Sequence, residues 1–197
     1  MPPRRIGLLG GSFNPAHPGH RHVSLEALKR LALDEVWWLV SPQNPLKPAR
    51  GMASFEKRLA NAAEYANHPR IRVLALEEKL GTRFTLDTLK ALQPLFPHQQ
   101  FVWLMGADNL TQLRRWRDWP QIFRRVPIAV FARPTYCQRA LAEMAAQRFH
   151  RYRIAANRSR GLAAMAPPAW TFLRSRLDAS SATAIRSRRA QPVQRRR

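Results

Sequence analysis

The sequence predicts an α/β fold with a doubly wound, mostly parallel sheet, and two observations support that prediction. Five apolar runs have the length of strands, and helical patterns separate them along the chain. The runs are apolar at nearly every position, which is typical of parallel strands covered on both faces. Alternating strands and helices imply right-handed crossovers, with ligands bound beyond the carboxyl ends of the strands.

The predicted elements follow one another in a regular order. The strands cover residues 5–9, 36–40, 71–76, 101–105 and 128–131. The helices cover residues 23–31, 54–65 with Ser54 as a candidate N-cap, a stretch after Thr85, 110–123 with a break at Pro120, and 139–149. The length of 197 residues suits a single domain over residues 1–189, followed by a flexible basic tail over residues 190–197.

Composition limits the cellular compartment and the partners. The single cysteine, Cys137, excludes an intrachain disulfide and indicates a reducing cytoplasm. The sequence has no apolar stretch near the roughly 18 residues that a membrane span needs. The net charge of +22 suits either nucleic acid or nucleotide polyphosphates. We expect a nucleotide enzyme with a basic surface and no nucleic-acid partner, because no signature of paired aromatic and basic residues is present.

The histidine turn, residues 10–20, is the most informative segment. It joins the first strand to the first helix and contains Gly10, Gly11, His17 and His20. Glycines let backbone N–H groups approach an anion, and a helix N-terminus adds partial positive charge. The two imidazoles add side-chain donors, so the turn suits a polyphosphate. The alternative is a tight connection with surface histidines, and neither a Walker A loop nor a dinucleotide fingerprint is present.

These residues resemble the signature of the HxGH nucleotidyltransferases, and residues 181–186 resemble a second signature of that superfamily. Residues 106–110 and Trp116 resemble one branch, the bacterial nicotinate-nucleotide adenylyltransferases. The similarity covers about residues 5–189. It implies a Rossmann-like nucleotidyltransferase fold and a cytoplasmic transferase of NAD biosynthesis. That enzyme joins ATP and nicotinate mononucleotide into nicotinate adenine dinucleotide and releases pyrophosphate.

The resemblance also assigns residues to ATP. His17, His20, Lys47 and Arg186 are the expected catalytic residues, with the histidines at the α- and β-phosphates. The expected ATP-binding residues are Gly10, Gly11, Ser12, Phe13, His20, Arg133, Ser181, Thr183 and Arg186. The last three would clamp the β- and γ-phosphates, or would instead belong to a solvated basic helix. Phe13 is expected to pack beneath the turn, and Asn14 stands where many relatives have Asp.

A second group of residues is assigned to nicotinate mononucleotide. It consists of Asn44, Lys47, Thr85, Gly106, Asp108 and Trp116. Trp116 would stack on the pyridine ring or belong to the core, and Asp108 would bind a ribose or cap the next helix. Thr85 at a helix start would receive the nicotinate carboxylate. Two departures from the family pattern are Leu46 in place of a histidine and Phe84 in place of a tyrosine.

Adenylyl transfer needs no protein nucleophile, and the expected metal is Mg²⁺ bound mainly through the ATP phosphates. We expect no protein metal site, because His17 and His20 have no third candidate ligand at a suitable spacing. A serine hydrolase is disfavoured, since no G-x-S-x-G motif occurs. The remaining alternatives are a transferase acting on phosphopantetheine and a basic RNA-binding module. The sequence does not predict the oligomeric state.

Overall fold

The computed structural model describes residues 2–43, 50–133 and 136–174, and their strands form one parallel sheet. The strands are β1 (Arg4–Gly11), β2 (Glu35–Val40), β3 (Ile71–Leu74), β4 (Gln99–Gly106), β5 (Ile128–Phe131), β6 (Arg153–Ile154) and β7 (Trp170–Leu173). They lie in the order β3, β2, β1, β4, β5, β7, β6, and each pair of neighbours is parallel. The predicted doubly wound α/β fold is confirmed.

Helices cover both faces of this sheet. They are α1 (Pro18–Arg30), α2 (Phe55–Ala66), α3 (Leu76–Lys79), α4 (Thr85–Leu95), α5 (Ala107–Gln112), α6 (Trp119–Arg125), α7 (Cys137–Ala142) and α8 (Met144–Arg148), with 3₁₀ segments at Leu113–Arg115, His150–Tyr152 and Ala156–Ala164. The strands are nearly continuously apolar because alternate residues enter two separate cores. Trp37 and Trp103 pack with α4 and α6, whereas Trp38 and Leu104 pack with α1 and α2.

The strand order reverses between β1 and β4. From β1 the chain continues outward through β2 and β3, and from β4 it continues outward on the other side through β5. Crossovers therefore leave in opposite directions, which opens a crevice at the carboxyl ends of β1 and β4. Gly11 ends β1 and Gly106 ends β4, so the segments that follow these two glycines meet at the crevice.

Several predicted boundaries are wrong. The third strand ends at Leu74, and Leu76 begins the short helix α3. The helix predicted over residues 110–123 is divided between α5, a 3₁₀ turn and α6. Pro120 lies in the first turn of α6 and does not break a helix, because a first-turn proline loses no intrahelical hydrogen bond. The helix predicted over residues 139–149 is two helices, separated by the extended residue Glu143.

The sequence also failed to predict two strands. β7 pairs with β5, and the two-residue β6 pairs only with β7 at the edge of the sheet. The N-cap prediction is confirmed, since the Ser54 hydroxyl accepts a hydrogen bond from the Lys57 N–H at 3.4 Å. In the part of the chain that the structure describes, no helix has both the length and the apolar character needed to cross a membrane.

Candidate active site

The histidine turn brings two imidazoles together at the carboxyl edge of the sheet. His17 is the extended N-cap residue of α1 and is buried. Its ring centroid lies 3.9 Å from that of His20. Nδ1 of His20 accepts a hydrogen bond from the backbone N–H of His17 at 3.2 Å. A ring nitrogen that accepts has no proton, so the neutral His20 ring has its proton on Nε2.

Phe13 supports the turn from beneath. Its side chain is buried, and its ring stacks on Trp38 with 5.0 Å between centroids. The same ring lies 4.7 Å from the His20 ring. Phe13 has a φ of 46°, in the left-handed region that residues with a β-carbon rarely adopt. Packing against Trp38 therefore holds the turn in a strained shape, and contact between Phe13 and ATP stays a prediction.

The outer side of the turn is tied to the segment that leads into α2. The Asn14 side chain donates to the Gly51 carbonyl at 3.3 Å and accepts from the Ala53 N–H at 3.2 Å. The Ala16 N–H donates to the side-chain oxygen of Asn61 at 2.9 Å. Asn14 thus acts as a short polar side chain that fixes a turn, as its chemistry predicts.

Two glycines allow close approaches at the crevice. A β-carbon at Gly10 would lie 2.6 Å from Cη2 of Trp103. The Trp103 ring in turn meets the Trp116 ring edge-on, at 6.4 Å and 86°. A β-carbon at Gly106 would collide with the Asp108 carboxylate. Larger residues at either glycine would therefore displace groups that line the crevice.

Asp108 follows β4 in the first turn of α5 and faces Arg133. Nε of Arg133 lies 3.4 Å from Oδ1 of Asp108. That oxygen is buried and accepts no hydrogen bond from the described residues. Gly106 is the N-cap of α5, and no side chain caps this helix. Asp108 is therefore not the N-cap residue of α5, and its Oδ1 faces Arg133 at the crevice.

Arg117 connects the segment containing Trp116 to the start of α4. Its guanidinium donates to both oxygens of Asp87, at 3.1 and 2.9 Å, and lies 4.2 Å above the centre of the Phe84 ring. Phe84 is the N-cap of α4, and Thr85 is its first residue. Trp116 is the chain neighbour of Arg117, and both Trp116 and Thr85 line the cavity at the crevice.

A cavity of about 290 Å³ at the crevice brings most of the predicted site residues together. Those that line it are Gly10, Gly11, Ser12, Phe13, His17, His20, Thr85, Gly106, Asp108, Trp116 and Arg133. The predicted residues Asn44, Lys47, Ser181, Thr183 and Arg186 lie outside the described residues. The guanidinium-bearing residues Arg83, Arg115 and Arg117 also line the cavity, which favours ligands with several negative charges.

Glu77 lines the same cavity, and sequence reasoning missed it. It lies on α3, is buried, and is hydrogen-bonded by the hydroxyls of Thr88 and Ser41. Burial raises the pKa of the Glu77 carboxyl to about 7, although both hydroxyls oppose the rise. Glutamates are rarely buried, so the residue type alone gives no signal. The apolar residues before it offered the only hint that this segment returns to the core.

Comparison with known proteins gives a consistent result. The family model described as cytidylyltransferase-like matches residues 8–188. A protein of Erythrobacter litoralis is 56% identical over 190 residues, covering 95% of this chain and 85% of its own length. A protein of Parvibaculum lavamentivorans is 51% identical over 187 residues, covering 95% of this chain and 93% of its own length. Both have the name "probable nicotinate-nucleotide adenylyltransferase".

A solved structure has the same fold. It is the Plasmodium falciparum nicotinic acid mononucleotide adenylyltransferase complexed with NaAD, with a TM-score of 0.69. The match covers 93% of this chain and 83% of that chain, at 17% sequence identity. At so low an identity the likeness concerns the fold alone, and it agrees with the sheet described above.

Proposed function

This chain belongs to the nicotinate-nucleotide adenylyltransferases of the cytidylyltransferase-like family, and we propose that its cavity joins ATP to nicotinate mononucleotide. The products are nicotinate adenine dinucleotide and pyrophosphate, in a step of NAD biosynthesis. One observation supports this most directly: a single cavity is lined by the histidine turn and by Thr85 and Trp116. A phosphate-binding turn, an aromatic ring and a helix N-terminus that line one cavity are what the two substrates require.

The reaction is an in-line displacement at phosphorus. An oxygen of the mononucleotide 5′-phosphate forms a bond to the α-phosphorus of ATP. The bond from the α-phosphorus to its bridging oxygen breaks, and pyrophosphate leaves with that electron pair. Because no protein atom is attacked, the protein contributes positioning and stabilisation of the charge that develops on phosphoryl oxygens.

His17 and His20 are the proposed donors to that developing charge. Their rings lie 3.9 Å apart between centroids, and a His20 ring with its proton on Nε2 would donate to a phosphate oxygen. Gly11 and Ser12 supply backbone N–H groups, and the N-terminus of the 13-residue helix α1 adds partial positive charge. Fixed donors of this kind need no reorganisation when the negative charge moves to pyrophosphate.

The nicotinate half is proposed to lie against Trp116, with its carboxylate at the start of α4. Thr85 is the first residue of this 11-residue helix, so unsatisfied N–H groups and the helix dipole favour a carboxylate there. A neutral amide gains less from the dipole and needs acceptors for its own N–H groups. Asp108 is proposed to accept hydrogen bonds from ribose hydroxyls of the mononucleotide.

The remaining assignments rest on the resemblance. Arg133 would lie near the adenine, whereas Asn44 and Lys47 would contact the mononucleotide. The other predicted residues of the second signature, Ser181, Thr183 and Arg186, would bind the β- and γ-phosphates. We also propose that residues 1–189 form one domain, and that the enzyme is cytoplasmic, as its single cysteine suggests.

Mg²⁺ is proposed to enter with ATP, held by phosphate oxygens. Within the described residues, no three His, Cys, Asp or Glu side chains cluster as metal ligands. The groups at the histidine turn are mainly N–H donors, which fit phosphate oxygens and not a cation. When bound, the ion would neutralise phosphate charge and aid departure of pyrophosphate.

Pyrophosphate release is the experiment that tests this function. The purified protein is given ATP with Mg²⁺ and one acceptor: nicotinate mononucleotide, nicotinamide mononucleotide or phosphopantetheine. We expect kcat/KM to be at least about tenfold higher for nicotinate mononucleotide than for its amide, a difference of about 1.4 kcal/mol. Equal use of both pyridine nucleotides would contradict the proposed role of α4, and release only with phosphopantetheine would contradict the reaction itself.

A further inference from the structure

Arg58 on α2 is a buried cation with an unusual set of partners. Only 2% of its surface is exposed. Its guanidinium donates to four backbone carbonyls, those of Ser12 at 2.8 Å, Ser41 at 2.6 Å, Pro42 at 2.6 Å and Ala53 at 3.1 Å. No carboxylate among the described residues forms an ion pair with it. Burial lowers the pKa of this guanidinium, but an arginine remains charged at neutral pH.

A buried charge without a counter-ion is costly unless other groups solvate it. Here four carbonyl oxygens replace water, and they come from three separate segments. Ser12 belongs to the histidine turn, Ser41 and Pro42 follow β2, and Ala53 precedes the N-cap of α2. One side chain therefore determines the relative positions of three segments that have no regular structure of their own.

These segments lead directly to the proposed site. Ser12 and Ser41 line the cavity, whereas Arg58 does not. The segment after Pro42 continues toward Asn44 and Lys47, two of the predicted mononucleotide-binding residues. The Ser41 N–H also donates to the Gly11 carbonyl at 2.9 Å, which joins the same two segments a second time. Arg58 thus lies immediately behind groups that would surround the ATP phosphates.

We propose that Arg58 is a positioning residue for adenylyl transfer, which fixes the histidine turn relative to the segment after β2. The inference rests on the proposed function, since it assigns a task within that reaction. A displacement of about 1 Å in fixed donors can lower a rate by about 100-fold, because the donors act on charge that develops only in the transition state. Ground-state binding of ATP depends less on such accuracy.

Arginine is needed at this position for its shape as well as its charge. The planar guanidinium presents five N–H donors in a rigid fork, so it can reach carbonyls in several directions at once. Lysine retains the charge but has three donors at a single point. Arg58→Lys therefore keeps a buried cation and loses the fixed spacing of the segments, which separates geometry from charge.

The experiment compares Arg58→Lys and Arg58→Ala with Lys57→Ala, a matched control that removes an exposed cation from the same helix. Pyrophosphate release is measured well below the melting temperature of each variant, per folded enzyme. We expect both Arg58 variants to lose roughly 100-fold in kcat, on the scale of a lost oxyanion donor, and to change KM for ATP by less than about threefold. Lys57→Ala should retain the wild-type kcat.

Chemical rescue supplies the second measurement. Methylguanidinium in the millimolar range can fill the space left in Arg58→Ala and donate to the same carbonyls. It should raise the kcat of Arg58→Ala at least about tenfold, because the carbonyls require a correctly placed guanidinium and not one attached to the chain. It should not raise the kcat of a His17→Ala variant, because that variant lacks an imidazole and not a guanidinium. If Arg58→Ala does not fold, Arg58→Lys alone decides.

A wild-type kcat in Arg58→Lys would overturn the inference, as would a loss confined to KM for ATP. Absence of pyrophosphate from the wild-type protein with every acceptor would instead contradict the proposed function. The two failures are therefore distinguishable. A fall in kcat that is proportional to the unfolded fraction would show a purely structural role and would also overturn the proposal.

Discussion

Replacing Glu77 by glutamine removes a carboxyl group that the fold buries at the cavity, and the effect on stability should depend on pH. The variant retains the size of the side chain and its capacity to hydrogen-bond with Thr88 and Ser41. It loses only the group that titrates. The wild-type protein must either keep this carboxyl protonated or hold a charge away from water.

The magnitude follows from the pKa of the Glu77 carboxyl. Burial raises that pKa from 4.5 to about 7, and one pKa unit equals about 1.4 kcal/mol, so about 3 kcal/mol is involved. Between these two values the folded protein binds more protons than the unfolded chain, so the free energy of unfolding decreases as pH rises. The stabilisation by the neutral carboxyl is complete below the unfolded value and is lost as pH rises through about 7.

Urea unfolding, followed by tryptophan fluorescence from about pH 4.5 to about pH 8.5, measures this dependence. The stability of Glu77→Gln relative to wild type should rise by about 3 kcal/mol across that range, or about 6–12 °C in Tm for a domain of this size. Glu78→Gln, at the exposed next position of α3, is the control and should follow the wild type. A difference that is constant with pH would refute the reasoning.

Three further predictions concern the reaction. His17→Ala and His20→Ala should each lower kcat by roughly 100-fold or more, with a much smaller effect on ATP binding; a near-normal kcat at saturating substrate would exclude the proposed role. Trp116→Ala should raise KM for the mononucleotide more than KM for ATP, as initial rates at varied substrate will test. Arg186→Ala should abolish most ATP use, whereas deletion of residues 194–197 should leave kcat/KM within about threefold at 0.1 M salt. A large effect of the deletion would mean that the tail contributes to the site.

The sequence predicted the parts of the fold whose patterns are local. β1 and β2 are apolar runs covered on both faces, and their burial follows from composition alone. β7 was missed because the segment before it, the 3₁₀ helix Ala156–Ala164, has no helical apolar stripe to indicate a crossover. β6 has two residues, which is too short for any periodicity. Such an edge strand exists only because β7 offers it unpaired backbone groups.

In the candidate site, as in the fold, only the parts with a local sequence pattern could be predicted. The histidine turn was recognisable because its residues are adjacent in sequence. Arg58 and Glu77 were not, since a charged side chain at a single position is normally exposed. Their burial depends on where α2 and α3 meet the ends of β1 and β2, and that is a property of the folded chain. Residues that fix loops through backbone carbonyls leave no pattern in the sequence.

For the effect of cationic side chains on the site, burial matters more than their total number. The chain has a net charge of +22, yet Arg58 is the only buried arginine or lysine in the described part of the chain. Exposed arginines are screened beyond about 10 Å at 0.1 M salt, so most of the excess charge adds little at the cavity. A guanidinium behind Ser12, surrounded by carbonyls and out of water, is not screened in this way. Removal of the basic tail is therefore expected to change little, because distant charges are screened by salt. Arg58→Lys is expected to lower kcat for a different reason, since it keeps the buried charge but loses the fixed geometry of the guanidinium donors.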